Sequence, residues 1–271
     1  MSIRHAMVAG MFYPADAGAL RREVDQCLKA AQVSPAGEQV RALVVPHAGY
    51  MYSGATAGFS YARARGKCPT RVVLLGRSHR YHFEGPSVFT QGVFETPVAD
   101  FPIDETFAAE LAGTGASDSE EAHYAEHSLE VQLPFVHAVF GTVPIVPVLF
   151  GSDADDTHIT FGRRLAAMLD SSDLVVASTD LSHYYPQEAA NRLDKATLDA
   201  VLEQDCETMC RGFREDRYAM CGAPAVVATM AYALARAAAA WRLLDYRTSA
   251  DASGDYHRVV GYGAISMETA A

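Results

Sequence analysis

Four short runs of consecutive apolar residues recur along the chain, with longer helical segments between them. The runs are RALVVP (41–46), RVVLLG (71–76), VPIVPVLFG (143–151) and DLVVAS (173–178). Each run is apolar on successive rather than alternate positions, which is typical of strands buried on both faces. Strands that alternate with helices are joined by βαβ crossovers. The sequence therefore predicts an α/β fold, a three-layer αβα sandwich with a mostly parallel central sheet.

Helical periodicity marks the segments that flank and separate these runs. The predicted helices span residues 17–31, 56–65, 105–112, 129–140, 156–169, 186–203 and 223–239. The period is clearest from Leu129, where Leu133, Val136 and Phe140 follow on the same helix face. Two later runs, 241–248 and 258–266, predict an antiparallel hairpin at an edge of the sheet.

The domain organisation follows from the length and from the lack of repeats or long linkers in the sequence. A chain of 271 residues suits one large α/β domain. We predict a single domain over 1–271, in which an N-terminal arm (1–36) carries the first helix. Residues 40–271 form the αβα body in this prediction.

Charge and composition exclude some classes of partner. The formal net charge of −11 argues against a nucleic-acid backbone or an anionic membrane surface as the main partner. No apolar stretch of the sequence is long enough for a transmembrane helix. The five cysteines are odd in number and scattered, unlike a disulfide framework, so we expect a reduced, cytoplasmic protein.

Three histidines follow three of the predicted strands within one to five residues. They are His47 after the first run, His79 after the second and His183 after the fourth. The carboxyl ends of parallel strands meet at one crevice, where ligands bind in open α/β sheets. The histidines could therefore share a metal site, because imidazole is a good ligand for iron, copper, zinc and nickel. The alternative is that the strand ends are simply polar.

A site of two or three imidazoles needs a further ligand. Asp180 and Glu130 are the carboxylate candidates, and Cys221 is the thiol candidate. Cys221 precedes a predicted helix, where the helix dipole favours a thiolate. A small buried core residue is the competing interpretation of the same cysteine.

His127 and Glu130 lie three residues apart at the start of a predicted helix, on the same face of its first turn. Ser128 is a candidate N-cap for that helix. The pair is able to position a water or a substrate, and a local salt bridge is the alternative.

Eight sequence blocks resemble the Memo family, which is known in bacteria and archaea as AmmeMemoRadiSam system protein B. The resemblance covers nearly the whole chain, and its blocks include the specific patterns PHAGYMYSG and HSLEVQLPF. In chain order the blocks are VAGMFYPAD (8–16), VVPHAGYMYSG (44–54), VVLLGRSH (72–79), EHSLEVQLPF (126–135), IVPVLFG (145–151), STDLSHY (178–184), MCG (220–222) and TSADASGDYHRVVGYGAIS (248–266).

The resemblance implies a fold related to class III extradiol dioxygenases, which are non-haem iron enzymes. Carried over motif by motif, it implies that His47, His79 and Cys221 are metal ligands. It places Asp180, His183 and His127 in the same pocket as catalytic residues. Fe(II) is then the expected metal, with copper or zinc as alternatives. An unknown small molecule or peptide is the expected ligand, and a radical-SAM protein is a partner by family association.

The sequence departs from the family pattern beside the proposed site, where Arg77 and Arg80 replace a proline and a second histidine. Their charge would favour an anionic substrate.

From the candidate ligands and the family resemblance together, we expect a metal protein with a redox or oxygenase-related role. A cysteine-dependent hydrolase with Cys221 as nucleophile, and a non-catalytic adaptor that uses the same pocket, are the alternatives.

Overall fold

The computed structural model describes residues 2–117 and 119–270. The strands are β1 (Ile3–Arg4), β2 (Val40–Val45), β3 (Val72–Arg77), β4 (Pro86–Val88), β5 (Val93–Glu95), β6 (Asp100–Pro102), β7 (Ile145–Phe150), β8 (Leu174–Ser178), β9 (His183–Tyr185), β10 (Ala240–Thr248) and β11 (Val259–Glu268). The helices are α1 (Ala17–Ala30), α2 (Tyr50–Arg63), α3 (Glu105–Ala112), α4 (Glu121–Tyr124), α5 (Leu133–Phe140), α6 (Asp156–Met168), α7 (Gln187–Leu202), α8 (Cys206–Arg214), α9 (Ala223–Ala235) and α10 (Ala250–Ser253).

The four apolar runs form the centre of the sheet. They are β2, β8, β3 and β7, which lie side by side in that order and pair in parallel. Antiparallel strands complete the edges: β11 and β10 lie beyond β2, and β4 lies beyond β7. The predicted parallel centre and the predicted C-terminal hairpin at a sheet edge are therefore confirmed.

Helices cover both faces of this sheet because its crossovers run in opposite directions. The connection from β2 through α2 to β3 passes over β8, and the connection from β7 through α6 to β8 returns over β3. Right-handed crossovers that run in opposite directions place their helices on opposite faces. Accordingly α1 and α5 pack with α2, whereas α6 and α8 pack with α9. The expected three-layer αβα sandwich is confirmed.

Helix α2 begins earlier than the sequence predicts, at Tyr50 rather than at residue 56. Two glycines of this stretch lie inside the helix, where α1 packs closely. A Cβ atom at Gly58 would lie 2.6 Å from the carbonyl oxygen of Cys27, and one at Gly54 would lie 3.2 Å from its sulfur. Glycine is therefore required here for the approach of α1, whose Leu20, Val24 and Leu28 are buried.

The helix predicted over 129–140 is shorter than expected. A 3₁₀ turn spans Glu130–Gln132, and α5 begins at Leu133 with Gln132 as its N-cap. Ser128 as N-cap is therefore wrong, and the hydroxyl of Ser128 points towards the carbonyl oxygen of Arg77 at 3.5 Å. Pro134 in the first turn of α5 suits a helix start, because its missing N–H would have no helical partner there.

The sequence did not predict α8 or the small sheet β1-β5-β6. The remaining predicted helices agree with α1, α3, α6, α7 and α9, the last of which ends four residues early. Within the described ranges, each helix is too short or too polar to cross a bilayer. All five cysteines are free thiols. The division into an arm (1–36) and a body (40–271) stays a prediction.

A buried ion pair ties the last strand of the sheet to α2. Glu268 is buried at the end of β11 and receives two hydrogen bonds of 2.7 Å from the guanidinium of Arg63. Burial raises the pKa of Glu268, but the hydrogen bonds of Arg63 and Ser266 and the charge of Arg63 outweigh it. The net effect is a lowered pKa, so the folded state favours the ionised carboxylate.

We predict that Glu268→Gln lowers the free energy of unfolding by about 3 kcal/mol near neutral pH, because it leaves Arg63 without its partner. The pKa of Glu268 is lower in the folded than in the unfolded state. Its stabilisation is therefore complete above the unfolded value of about 4.3 and fades as the pH falls below it. Urea unfolding of both proteins at about pH 7 and about pH 3 measures this.

The control is Asp199→Asn, which removes an exposed ion pair with Lys195 and should cost no more than about 0.5 kcal/mol. A difference between wild type and Glu268→Gln that stays constant over the same pH range would contradict the prediction.

Candidate metal centre

Three adjacent strands and one helix bring the predicted site residues together. His47 follows β2, His79 follows β3, and Cys221 lies just before α9. Their potential ligand atoms all lie within 4.8 Å of one another. His47 and His79 therefore converge as their strand ends predict, whereas His183 lies outside this group. The role of the three residues as metal ligands stays a prediction.

Cys221 is held at the end of β8. Its sulfur lies 3.2 Å from Nε2 of His47 and accepts a hydrogen bond from the backbone N–H of Asp180, also at 3.2 Å. The next residue, Gly222, lies against the backbone, since a Cβ there would be 2.4 Å from the carbonyl oxygen of Ser178. Glycine therefore allows α9 to bring the thiol against the strand end.

Ser178 fixes the tautomer of His47. The Ser178 hydroxyl donates its one proton to the carbonyl oxygen of Ser128 at 2.6 Å. It must therefore accept from its two other partners, Nε2 of Gln132 at 2.9 Å and Nδ1 of His47 at 3.0 Å. A neutral His47 thus carries its proton on Nδ1, and its Nε2 has a free lone pair that faces Cys221.

His79 is held by a carboxylate that the sequence did not single out. Glu126 accepts hydrogen bonds from the backbone N–H of His79 at 2.7 Å and from its Nδ1 at 2.9 Å. Burial lowers the pKa of His79, but hydrogen bonds with Cys221 and Glu126 outweigh it and raise the pKa to about 9. Burial raises the pKa of Glu126, and the hydrogen bonds and charge of His79 reverse this and hold it well below its usual range.

Asp180, His127 and His183 surround these three residues. Asp180 is buried and accepts a hydrogen bond from the backbone N–H of His47 at 2.8 Å. The ring of His127 lies 5.3 Å from that of His47 and 4.8 Å from that of His79. Burial and the neighbouring His47 lower the pKa of His127 to about 4, and burial also lowers the pKa of His183. Their catalytic roles stay predictions.

Glu130, the second carboxylate candidate, is wrong as a site residue. It is buried and forms an ion pair with Arg4, and it accepts hydrogen bonds from Tyr13 and from the backbone N–H groups of Met7 and Val8. The side chain of Glu130 points to the N-terminal arm, and the helical spacing between His127 and Glu130 carries no information about this direction. Glu126 is the carboxylate that does reach the site. It directly precedes His127, and because adjacent positions do not share a helix face, helical spacing does not select it.

The two arginines that depart from the family pattern lie at the margin of the site. Arg77 pairs with Asp153 at 2.6 Å, which offsets its positive charge. It lines a cavity of about 340 Å³ that also contacts Met220 and Ala223, on either side of Cys221 in the chain. Arg80 is exposed.

Comparison with known proteins agrees with the geometry. The family model of Memo-like proteins matches residues 4–266. The chain belongs to the Memo family. A MEMO1 family protein of Methanococcoides burtonii is 37% identical over 270 residues, which are 98% of this chain and 100% of the relative. A MEMO1 family protein of Methanopyrus kandleri is 35% identical, over 97% of this chain and 98% of the relative.

A solved structure supports the fold of this Memo-family chain. The crystal structure of an uncharacterized Escherichia coli K12 protein, JW3007, superposes with a TM-score of 0.54 and 14% sequence identity. The match covers 83% of this chain and 99% of the other. At this identity the likeness shows the α/β fold alone.

We predict that Arg4→Met lowers the free energy of unfolding by about 3–5 kcal/mol, because Glu130 would stay buried without its ionic partner. Urea unfolding measures the loss. Arg22→Met, at an exposed position of α1, is the matched control and should change stability by less than about 0.5 kcal/mol. Equal stabilities of the two variants would show that the buried pair contributes little.

Proposed function

We propose that this Memo-family protein binds one transition metal ion through His47, His79 and Cys221 and uses it in a redox or oxygenase-related role. The observation that carries the proposal is the convergence of two imidazoles and one thiol within 4.8 Å. Ligands of one ion with bonds of about 2.0–2.3 Å lie roughly 3–4 Å apart, so small side-chain shifts suffice to close the site.

The donor set fits a redox metal. Two histidines and one carboxylate are typical of Fe(II) oxygenases, and here a thiol takes the place of the carboxylate. Asp180 is adjacent, but its Oδ1 is used by the backbone N–H of His47. Iron is the metal that the family resemblance implies, whereas the softer sulfur also favours copper(I) or zinc. A bound ion would supply Lewis acidity and, as iron or copper, a change of oxidation state.

The protein's own residues prepare the site in three ways. The proton on Nδ1 of His47 leaves its Nε2 free as a ligand, and Nδ1 of His79 is hydrogen-bonded to Glu126. The side chain of His79 is 31% exposed, so a small molecule or a peptide segment has access. His127 and His183 lie beside the three proposed ligands, where they would exchange a proton with a bound ligand.

We predict that anaerobically purified wild-type protein contains close to one equivalent of iron, with copper or zinc as the alternatives. Cys221→Ala should lose most of this metal because only two of the three ligands remain. Elemental analysis of both proteins measures the content. Cys68→Ala removes an exposed thiol outside the site and is the matched control.

Three outcomes decide the proposal. Metal that falls in Cys221→Ala but stays in Cys68→Ala supports it, and the element found fixes the redox class. Equal metal in all three proteins would place the ion elsewhere. A wild-type protein that holds no metal and takes up no Fe(II), copper(I) or zinc when these are supplied would overturn it.

The contact of 3.2 Å between Cys221 and His47 also favours a second candidate, a cysteine-dependent hydrolase. In that reaction Nε2 of His47 would accept the thiol proton, and Ser178 would orient the ring from Nδ1. The carboxylate of Asp180 lies 3.9 Å from Nε2, on the side of the ring that faces the thiol. A triad carboxylate would instead bind Nδ1, so the arrangement supports this candidate less well.

We predict that a chelator accelerates the alkylation of Cys221 by iodoacetamide at neutral pH, because a metal-bound sulfur is protected from the reagent. Mass spectrometry of the modified peptide measures the rate, and Cys68 in the same sample is the internal control. Fast alkylation of Cys221 that is independent of chelator and of added metal would favour the hydrolase.

A further inference from the structure

Glu126 is a buried carboxylate that connects two histidines of the site. Its Oε1 accepts hydrogen bonds of 2.9 Å from Nδ1 of His79, from the backbone N–H of His127 and from that of Ser128. Its Oε2 accepts a hydrogen bond of 2.7 Å from the backbone N–H of His79. Only 2% of its side chain is exposed. Such a group requires full hydrogen bonding to remain charged.

Two roles are open to this carboxylate. Its oxygens lie within 4.8 Å of potential ligand atoms of His79 and His127, so the three residues form a second cluster that could hold a metal. The hydrogen bonds argue against that role. Oε1 has about two lone-pair sites and already accepts three N–H groups, with Nδ1 of His127 a further 3.2 Å contact, so it has none free for a metal; Oε2 accepts the fourth N–H group. Three of the donors are backbone groups, which cannot turn away without a change of the main chain.

The orientation of His79 points to the other role. Because the ionised carboxylate only accepts hydrogen bonds, Nδ1 of His79 must donate, and this leaves Nε2 for the side of His47 and Cys221. A carboxylate that holds the second ring nitrogen fixes the orientation of a metal-bound imidazole and raises its basicity.

Arg4 in the N-terminal arm holds the main chain around Glu126 in place. The guanidinium of Arg4, which is 1% exposed, donates to the backbone carbonyl oxygen of Glu126 and forms the ion pair with Glu130. Its Nε donates to the carbonyl oxygen of His123 at 3.1 Å. The main chain on both sides of Glu126 is therefore fixed to the first strand of the protein.

We infer that Glu126 is a positioning residue, which orients His79 for the metal through its carboxylate and is itself held in place by Arg4. The inference rests on the proposed metal centre and extends it by a residue that binds no metal. It assigns the carboxylate of Glu126 to the orientation of His79, and it argues against a separate metal site formed by His79, Glu126 and His127.

The experiment compares cobalt(II) binding by metal-free wild type, Glu126→Gln and Glu121→Gln, followed by the visible absorption of the bound ion. Glutamine is nearly isosteric, but its NH₂ group cannot accept the backbone N–H bonds. We expect Glu126→Gln to bind cobalt(II) about 10–100-fold more weakly, with altered d–d and thiolate charge-transfer bands at saturation. Glu121→Gln, an exposed glutamate in α4, should match the wild type.

The thermal unfolding of the metal-free proteins separates positioning from folding. Weaker binding with an altered spectrum, in a variant that is fully folded at the assay temperature, supports the inference. Wild-type affinity in Glu126→Gln would overturn it. So would weaker binding that only follows the loss of folded protein and leaves the spectrum at saturation unchanged.

Two further measurements keep the test decisive. If Glu126→Gln does not fold, Glu126→Asp replaces it, because the shorter carboxylate keeps the charge but cannot reach all four donors. We expect the same spectral change with a smaller loss of affinity, and an unchanged spectrum would overturn the inference. Wild-type protein that takes up neither cobalt(II) nor Fe(II), copper(I) or zinc would instead overturn the proposed function, and with it the inference.

Discussion

Parallel hydrogen bonding among β2, β8 and β3 is the constraint on which the candidate site depends. The register pairs Val45 of β2 with Ser178 of β8, and Leu75 of β3 with Ala177 of β8. The three strands therefore end at nearly the same level, and the residues that follow them leave the sheet at one edge. Burial on both faces stabilises this pairing, because every residue of β8 is inaccessible to solvent.

The sheet brings the histidines near each other, and buried polar contacts then set their orientation. Ser178 and Glu126 each occupy the Nδ1 atom of one imidazole, so both rings present Nε2 to Cys221. These contacts are tolerated in the interior because each polar group has its partners: the Ser178 hydroxyl has three and the Glu126 carboxylate four. Positioning by neutral and by charged groups thus coexists in one site.

The sequence predicts the central sheet well for a physical reason. Strands buried on both faces need apolar residues at every position, and such runs are distinct from amphipathic helices. The sequence does not predict the start of α2, because glycines that allow a close helix contact have the same local pattern as glycines of a loop. The function of Gly58 becomes clear only when the position of Cys27 in α1 is known. The local sequence pattern does not show which distant residue a glycine packs against.

The same limit explains the outcome for the site residues. Strand ends predict that His47 and His79 converge, and the family resemblance adds Cys221. Which of two glutamates faces the site depends on partners distant in the chain: Glu126 binds a residue 47 positions away, and Glu130 binds one 126 positions away. Spacing within one segment cannot distinguish them, and it favoured the wrong residue.

The buried pair of Arg4 and Glu130 has a consequence for the order in which the protein matures. During synthesis the first strand leaves the ribosome long before the segment it must bind, and Cys221 appears later than either. The contact between Cys221 and His47 spans 174 residues, so the chain must be nearly complete before the two can meet. Loop closure over such distances makes native assembly slow compared with local helix formation. The proposed ion needs all three side chains and would therefore be acquired by the finished protein, after translation has passed the last of them.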